Sequence, residues 1–346
     1  MMSDNGSESD TMRERASTDT RLAWLVLDAD RWLITTLFSA VLFCGVLAVG
    51  SLHPTPPQIL LTRGDPIETL FQALTAGTIT TVTLVLTLSQ LTLSQELGAV
   101  GDQRKRMDEA MQFRADVADA VDMPVSPADP SVFLRSLVRG TAERAAAVRN
   151  NVSESALGPE LTALLSTYLD DVTTNADSVT DQLEGETFGE FDVVRAALNY
   201  NYSWKLYAGR RIRVVHADSL TNEVDESLAE LVEILELFGP AREHFKTLYF
   251  QWELSALSQT LLYISIPALT VSITSLLFFD PRDFVGALFG VPNVLLVVAV
   301  TTTLSVLPFT LLLSYILRIV TVTKRTLAIG PFILRETDRS ADVTVE

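Results

Sequence analysis

Three histidines, His53, His216 and His244, are the residues best suited to acid–base or metal chemistry, and their placement argues against both. They lie in separate segments, and none has a second ligand at the spacing that holds a zinc ion. The carboxylate pair Asp170-Asp171 sits in an acidic stretch, where a solvated helix face accounts for it without proton transfer. No Walker A run, dinucleotide-binding glycine fingerprint or Gly-x-Ser-x-Gly elbow occurs in the chain. The single cysteine, Cys44, lies in an apolar block; it permits no intrachain disulfide and reads as a small packing residue. The sequence therefore predicts no catalytic, cofactor-binding or metal residue, no cofactor, and a protein that is not an enzyme.

The distinctive chemistry is uncharged. The segment from Gln72 to Gly98 carries a tandem LTLSQ repeat, Leu86–Gln90 and Leu91–Gln95. Five residues turn a helix about 500°, so the two copies do not stack. Thr80, Thr83, Thr87, Gln90 and Ser94 do stack, at steps of three and four, into a narrow polar stripe. Such a stripe packs helices in lipid, because small hydroxylated residues permit close approach and glutamine bonds across the seam. The other reading is a water-facing pore wall. Ser258, Ser265, Ser272, Thr301, Thr302, Thr303 and Ser305 extend the hydroxyl content to later apolar blocks, where Pro267 and Pro308 predict kinks. No ionisable residue falls deep in any of these blocks, which disfavours proton-coupled transport.

A second cluster combines aromatic and basic residues: Tyr200, Tyr202, Trp204, Lys205, Tyr207, Arg210, Arg211 and Arg213. It follows a stretch from Glu154 to Asp192 with ten acids and no Lys or Arg. The charges suit an interhelix or intersubunit surface that pairs with those acids. Trp204, Lys205, Arg210, Arg211 and Arg213 also suit anionic lipid headgroups. Nucleic acid is not an expected partner, since the surrounding field is strongly negative.

The elements that position these residues follow from four apolar runs: Trp32 to Leu52, Ile67 to Leu93, Leu254 to Phe279, and about Phe284 to Ile316, the last starting in earnest near Val294. The first, at 21 residues, rises about 31 Å as a helix, the thickness of a hydrocarbon core. Arg and Lys cluster before the first run, after the second, before the third and after the fourth, while the two short links carry only Arg63 and Arg282. That asymmetry predicts both termini and the segment between runs two and three on the cytoplasmic side of the cell membrane. The expected fold is an all-α polytopic membrane protein with four transmembrane helices and a helical cytoplasmic domain inserted between the second and third. Its boundaries are a disordered tail at 1–22, membrane helices at 23–96, the cytoplasmic domain at 97–253, membrane helices at 254–319 and a tail at 320–346.

Within 97–253, Asp129-Pro130 predicts an N-cap followed by proline at the first helical position, and Gly158-Pro159 opens the next helix. Leu161, Leu165, Tyr168, Val172, Val179 and Leu183 give the latter an apolar face. Leu220, Val224, Leu228, Leu231, Leu235 and Phe238 do the same for a later helix, backed by Glu223, Glu226, Glu230 and Glu233 and expected to stop at Gly239-Pro240. A further helix is expected from Pro240 to Phe279, and the second span is expected to continue to Val121, weakened at Gly98 and Gly101. Such helices would couple the soluble domain rigidly to the second and third spans. Asn151-Val152-Ser153 and Asn201-Tyr202-Ser203 match the glycosylation pattern, but cytoplasmic placement predicts no modification.

The net charge is −17 while the mean hydropathy is +0.27, a pairing explained by acids confined between the apolar runs. Of 26 basic residues only Lys105, Lys205, Lys246 and Lys324 are lysines. Scarce lysine with surplus acid resembles the proteins of salt-loving archaea, and the chain is similar to uncharacterised four-span membrane proteins of haloarchaea. The order of parts, two spans, a helical domain, two spans and a tail, resembles bestrophin-like channels. That resemblance implies a homo-oligomeric ion channel; no neck or calcium-site motif matches, so it carries over no residue. The expectation is a lipid-embedded homo-oligomer with the second span near a pore. The alternative is a non-conducting scaffold or sensor whose helical domain binds a protein partner.

Overall fold

A computed structural model describes residues 31–186 and 191–325. The tails expected at 1–22 and 320–346 lie outside the described residues except for 320–325. Ten α-helices occur among the described residues: α1 Arg31–Leu52, α2 Pro57–Leu61, α3 Pro66–Glu96, α4 Val100–Ala120, α5 Pro130–Glu154, α6 Pro159–Leu183, α7 Phe191–Asn199, α8 Tyr202–Val215, α9 Asn222–Phe278 and α10 Asn293–Arg325. A two-residue strand pair, β1 Ala287–Leu288 and β2 Val291–Pro292, precedes α10. Four helices, α1, α3, α9 and α10, are long and apolar enough to cross a membrane. The chain is a helical, multi-pass membrane protein.

The chain divides into two compact units, one spanning Gly98–Phe250 and the other comprising residues 31–97 with Gln251–Val322. In the first unit, α5 starts where Asp129 accepts hydrogen bonds from the backbone N–H groups of Ser131 (2.8 Å) and Val132 (3.2 Å). Proline at the first helical position removes a donor that has no helical partner there. The hydroxyl of Ser131, and then these amides, hold the Asp129 carboxyl below the ordinary aspartate range. Leu134, Leu137 and Val138 of α5, Leu165, Leu169 and Val172 of α6, and Leu228, Leu231 and Leu235 of α9 share one buried core. Glu223, Glu226, Glu230 and Glu233 occupy the exposed face of α9.

Two expected boundaries are corrected. The second span does not continue to Val121: α3 ends at Glu96, and Leu97 (ψ 129°) and Ala99 (ψ 153°) are extended on either side of Gly98. Glycines at 98 and 101 each weaken a helix by about 1 kcal/mol relative to alanine, enough to place the break there. Conversely, Gly239-Pro240 does not stop a helix; α9 runs through it as one 57-residue helix. A Cβ at Gly239 would stand 2.9 Å from the Tyr202 ring. The glycine is required by that close approach, not by a turn. Pro240 removes one helical hydrogen bond, and buried Phe238 and Ala241 hold the helix on either side.

In the second unit, side-chain contacts set the directions of the long helices. Thr35 donates to Ser314 (3.2 Å) and Ser39 meets Thr310 (3.3 Å), so α1 and α10 are antiparallel. Thr78 donates to the Ser305 carbonyl at 3.4 Å, while Val85 packs with Leu311 and Leu312, so α3 is parallel to α10. Ser89 and Ser258 are hydrogen-bonded, and Phe71 clusters near Leu276, which makes α3 antiparallel to the later part of α9. At one end, Trp32 and Trp252 are both exposed; at the other are the exposed Leu52 and Phe278. From residue 32 to residue 52 an α-helix rises about 30 Å, so these residues bracket one hydrocarbon thickness.

Candidate functional site

The two faces of α3 have different surroundings. Ile67, Phe71, Thr78, Thr81 and Val85 are buried within the chain. Thr80, Thr83, Thr87, Gln90 and Ser94 lie on the uncovered side and are all exposed. The hydroxyls of Thr80, Thr83 and Thr87 donate to the carbonyls of Ala76, Ile79 and Thr83 at 2.8–2.9 Å. Ser94 donates to Leu91 at 2.7 Å. The hydroxyl protons are thereby satisfied within the helix, and the oxygens keep acceptor capacity toward the outside. The Gln90 carboxamide makes no hydrogen bond among the described residues. Leu84, Leu88 and Leu91 flank the stripe and are exposed too. The helix seam inside the chain thus uses a different hydroxyl set from the one singled out by spacing.

The aromatic–basic segment is positioned by an amide network. Asn175 donates to the Asn199 carbonyl (3.2 Å) and accepts from the Asn201 N–H (3.2 Å), and the Asn199 side chain donates to Gln182 (2.6 Å). These bonds fix the link between α7 and α8 against α6. Trp204 and Lys205 are consequently buried, so the structure offers neither to a lipid headgroup. The Lys205 ammonium lies 3.0 Å from Asp171 and 5.7 Å from the centre of the Tyr200 ring, and the Lys205 carbonyl accepts from the Tyr168 hydroxyl at 3.0 Å. Burial pushes the Tyr168 and Tyr200 hydroxyls well above the ordinary tyrosine range.

The arginines point outward from this core. Arg210 meets Glu236 at 2.7 Å, Arg213 grips Asp225 through two bonds of 2.8 and 3.1 Å, and Arg211 donates to Tyr207 at 3.3 Å. The hydrogen bond from Arg213 holds the Asp225 carboxyl below the ordinary aspartate range. Lys205 takes its partner from the acid-rich α6, whereas Arg210 and Arg213 take theirs from α9.

Sequence reasoning missed a buried charge cluster. Glu253 is 1% exposed and receives Arg31 at 2.5 Å, while the Arg31 guanidinium stacks 4.7 Å over Tyr315. Arg318 is buried on the same helix as Tyr315. The pair joins α1 to α9, and Tyr315 adds α10. Its signal was faint: each charge stands just outside an apolar run and reads alone as a flanking residue.

The profile of one protein family matches residues 1–346, the whole chain. The chain belongs to DUF7972, a family of unknown function. No curated protein and no solved structure matches the DUF7972 chain.

Proposed function

We propose that this DUF7972 chain is the subunit of a homo-oligomeric ion channel, with α3 nearest the shared axis. The observation that carries the proposal is the two-faced α3: its buried face already packs the protomer, while Thr80, Thr83, Thr87, Gln90 and Ser94 remain uncovered. In lipid an amide such as Gln90 needs a partner, which water in a pore or a neighbouring copy supplies. Thr87→Leu tests this. The expected result in liposomes is lost ion flux with the oligomer intact on gel filtration, because a leucine raises a dewetting barrier. A wild type that never conducts, with Thr87→Leu dissociating the assembly, would refute the channel.

The second proposal, a non-conducting scaffold or sensor, draws support from α4. Its residues 101–112 are exposed on nearly every side, with Met107 and Met111 among them. Adaptable methionines suit a protein partner. The same flux measurement separates the two.

The proposed orientation places residues 97–253 and both termini in the cytoplasm, with the protein in the cell membrane. Support comes from Arg31, Arg104, Lys105, Arg106, Arg114 and Arg318, set against Arg63 and Arg282 in the short links. In a Cys44→Ala background, Thr62→Cys is expected to react with an impermeant thiol reagent on intact cells, and Thr174→Cys is not. The opposite pattern would reverse the topology. The acid surplus is proposed to suit a saline cytoplasm, where salt screens self-repulsion.

A further inference from the structure

Between α9 and α10 the chain makes an apolar hairpin that the proposed function leaves unused. β1 and β2 pair antiparallel, and the two residues between them, Phe289 (φ +52°) and Gly290 (φ +81°), are both left-handed. This two-residue turn favours Asn-Gly, since both central residues need positive φ. A phenylalanine there carries a backbone cost, because its Cβ crowds the following carbonyl oxygen. Packing in the protomer does not repay it, because Phe289 is 96% exposed. Val285 and Leu288 are exposed beside it.

The hairpin is fastened to the start of α10. The Asn293 backbone N–H donates to the Gly286 carbonyl at 3.0 Å, and the Asn293 side chain donates to the Val285 carbonyl at 2.8 Å. That start lies at the edge of the apolar belt. Gly50 of α1 faces Leu295, and the exposed residues Leu52, Leu277 and Phe278 end α1 and α9 at this side. Each headgroup layer is about 5–7 Å thick. Two strand residues reach about 7 Å, so the tip of so short a hairpin stays within that layer.

We infer that the Val285–Phe289 hairpin inserts into the headgroup–acyl boundary of the bilayer at the Leu52 end, with Phe289 as its apolar anchor. The partner is the lipid surface itself, which receives apolar side chains that the protomer leaves bare. Strain at an exposed phenylalanine then has a use, since the turn aims the ring away from the protein and toward lipid.

Single-cysteine proteins in the Cys44→Ala background test this. Phe289→Cys, Leu288→Cys and, as a water-exposed control, Thr62→Cys would carry an environment-sensitive fluorophore in reconstituted vesicles. At 289 and 288, nitroxide-bearing phospholipid is expected to quench several-fold more strongly than aqueous iodide, with blue-shifted emission; Thr62 should show the reverse. Phe289→Cys keeps a Cβ and so leaves the turn's backbone cost as it was, and Leu288→Cys keeps the phenylalanine in place, so the two probes check each other. Iodide quenching at both positions equal to that at Thr62 would overturn the inference. So would protection from both quenchers, the pattern of a hairpin covered by a second copy.

Discussion

Glu253→Ala is expected to destabilise the membrane-spanning unit by about 3–5 kcal/mol, the usual cost of removing one partner from a buried ion pair. Glu253 is 1% exposed, whereas Arg31 is 22% exposed and lies 2.5 Å away. Removing the carboxylate leaves the guanidinium over the Tyr315 ring, on a helix that also buries Arg318. The cation–π contact to that ring is weaker than the buried ion pair that is lost. The loss is large because the pair closes three segments distant in sequence: the start of α1, the middle of α9 and the end of α10. Glu253→Gln keeps the shape and one acceptor, and should cost less than the alanine. Trp32 and Trp252 adjoin the pair in sequence, so intrinsic fluorescence during denaturation in mixed micelles reports on this end of the bundle. An alanine variant within about 0.5 kcal/mol of the parent, the range of an ordinary surface substitution, would show that the pair holds nothing together.

The contrast between Glu253 and the apolar runs shows what the sequence could disclose. A membrane helix announces itself because lipid admits no unpaired backbone, so twenty apolar residues in a row have few alternatives. The caps at Asp129-Pro130 and Gly158-Pro159 were equally legible, since proline at a first helical position is a local signal. Leu161 through Leu183 and Val224 through Phe238 were legible because a helical period assigns them to one face. The pairing of Arg31 with Glu253 has no such period; only folding brings positions 222 residues apart together.

The two misplaced boundaries also turn on distant neighbours. Glycine has one sequence symbol but several structural uses. Gly98 lies where the chain leaves the helix, while Gly239 permits a tyrosine ring to touch the helix backbone. Only the identity of the neighbour distinguishes them, and Tyr202 is 37 residues earlier. Lys205 is parallel: its position among arginines suggests a surface, yet its burial depends on Asp171 of α6 and Tyr200 beside it. For α3 the stripe itself was readable, but not which hydroxyls the chain's own helix seam would use. Thr78 and Thr81 are buried beside Val85, so neighbours on one helix serve opposite faces.

Phe238→Ala is expected to cost the Gly98–Phe250 unit about 3–5 kcal/mol, the range for deleting a buried aromatic side chain. Phe238 is fully buried, with the Tyr200 ring edge-on at 4.8 Å and the Tyr202 ring at 5.7 Å. Edge-to-face pairs add about 0.5–1.5 kcal/mol beyond the area they bury. The hole would not close easily. Tyr202 is held between the Gly239 backbone and the Arg242 guanidinium, which stacks 4.6 Å above it. Tyr200 is held by the amide-fixed turn between α7 and α8. Phe238→Leu, which retains most of the volume, should lose less than half as much. Thermal unfolding of the full chain, followed by the near-ultraviolet circular dichroism of its tyrosines, reads both variants. Repeating the melt from dilute buffer to molar KCl reads the acid surplus, and stability is expected to rise with salt as repulsion is screened. A Phe238→Ala protein that melts with the parent would mean that the aromatic group does not hold α7 and α8 to α9.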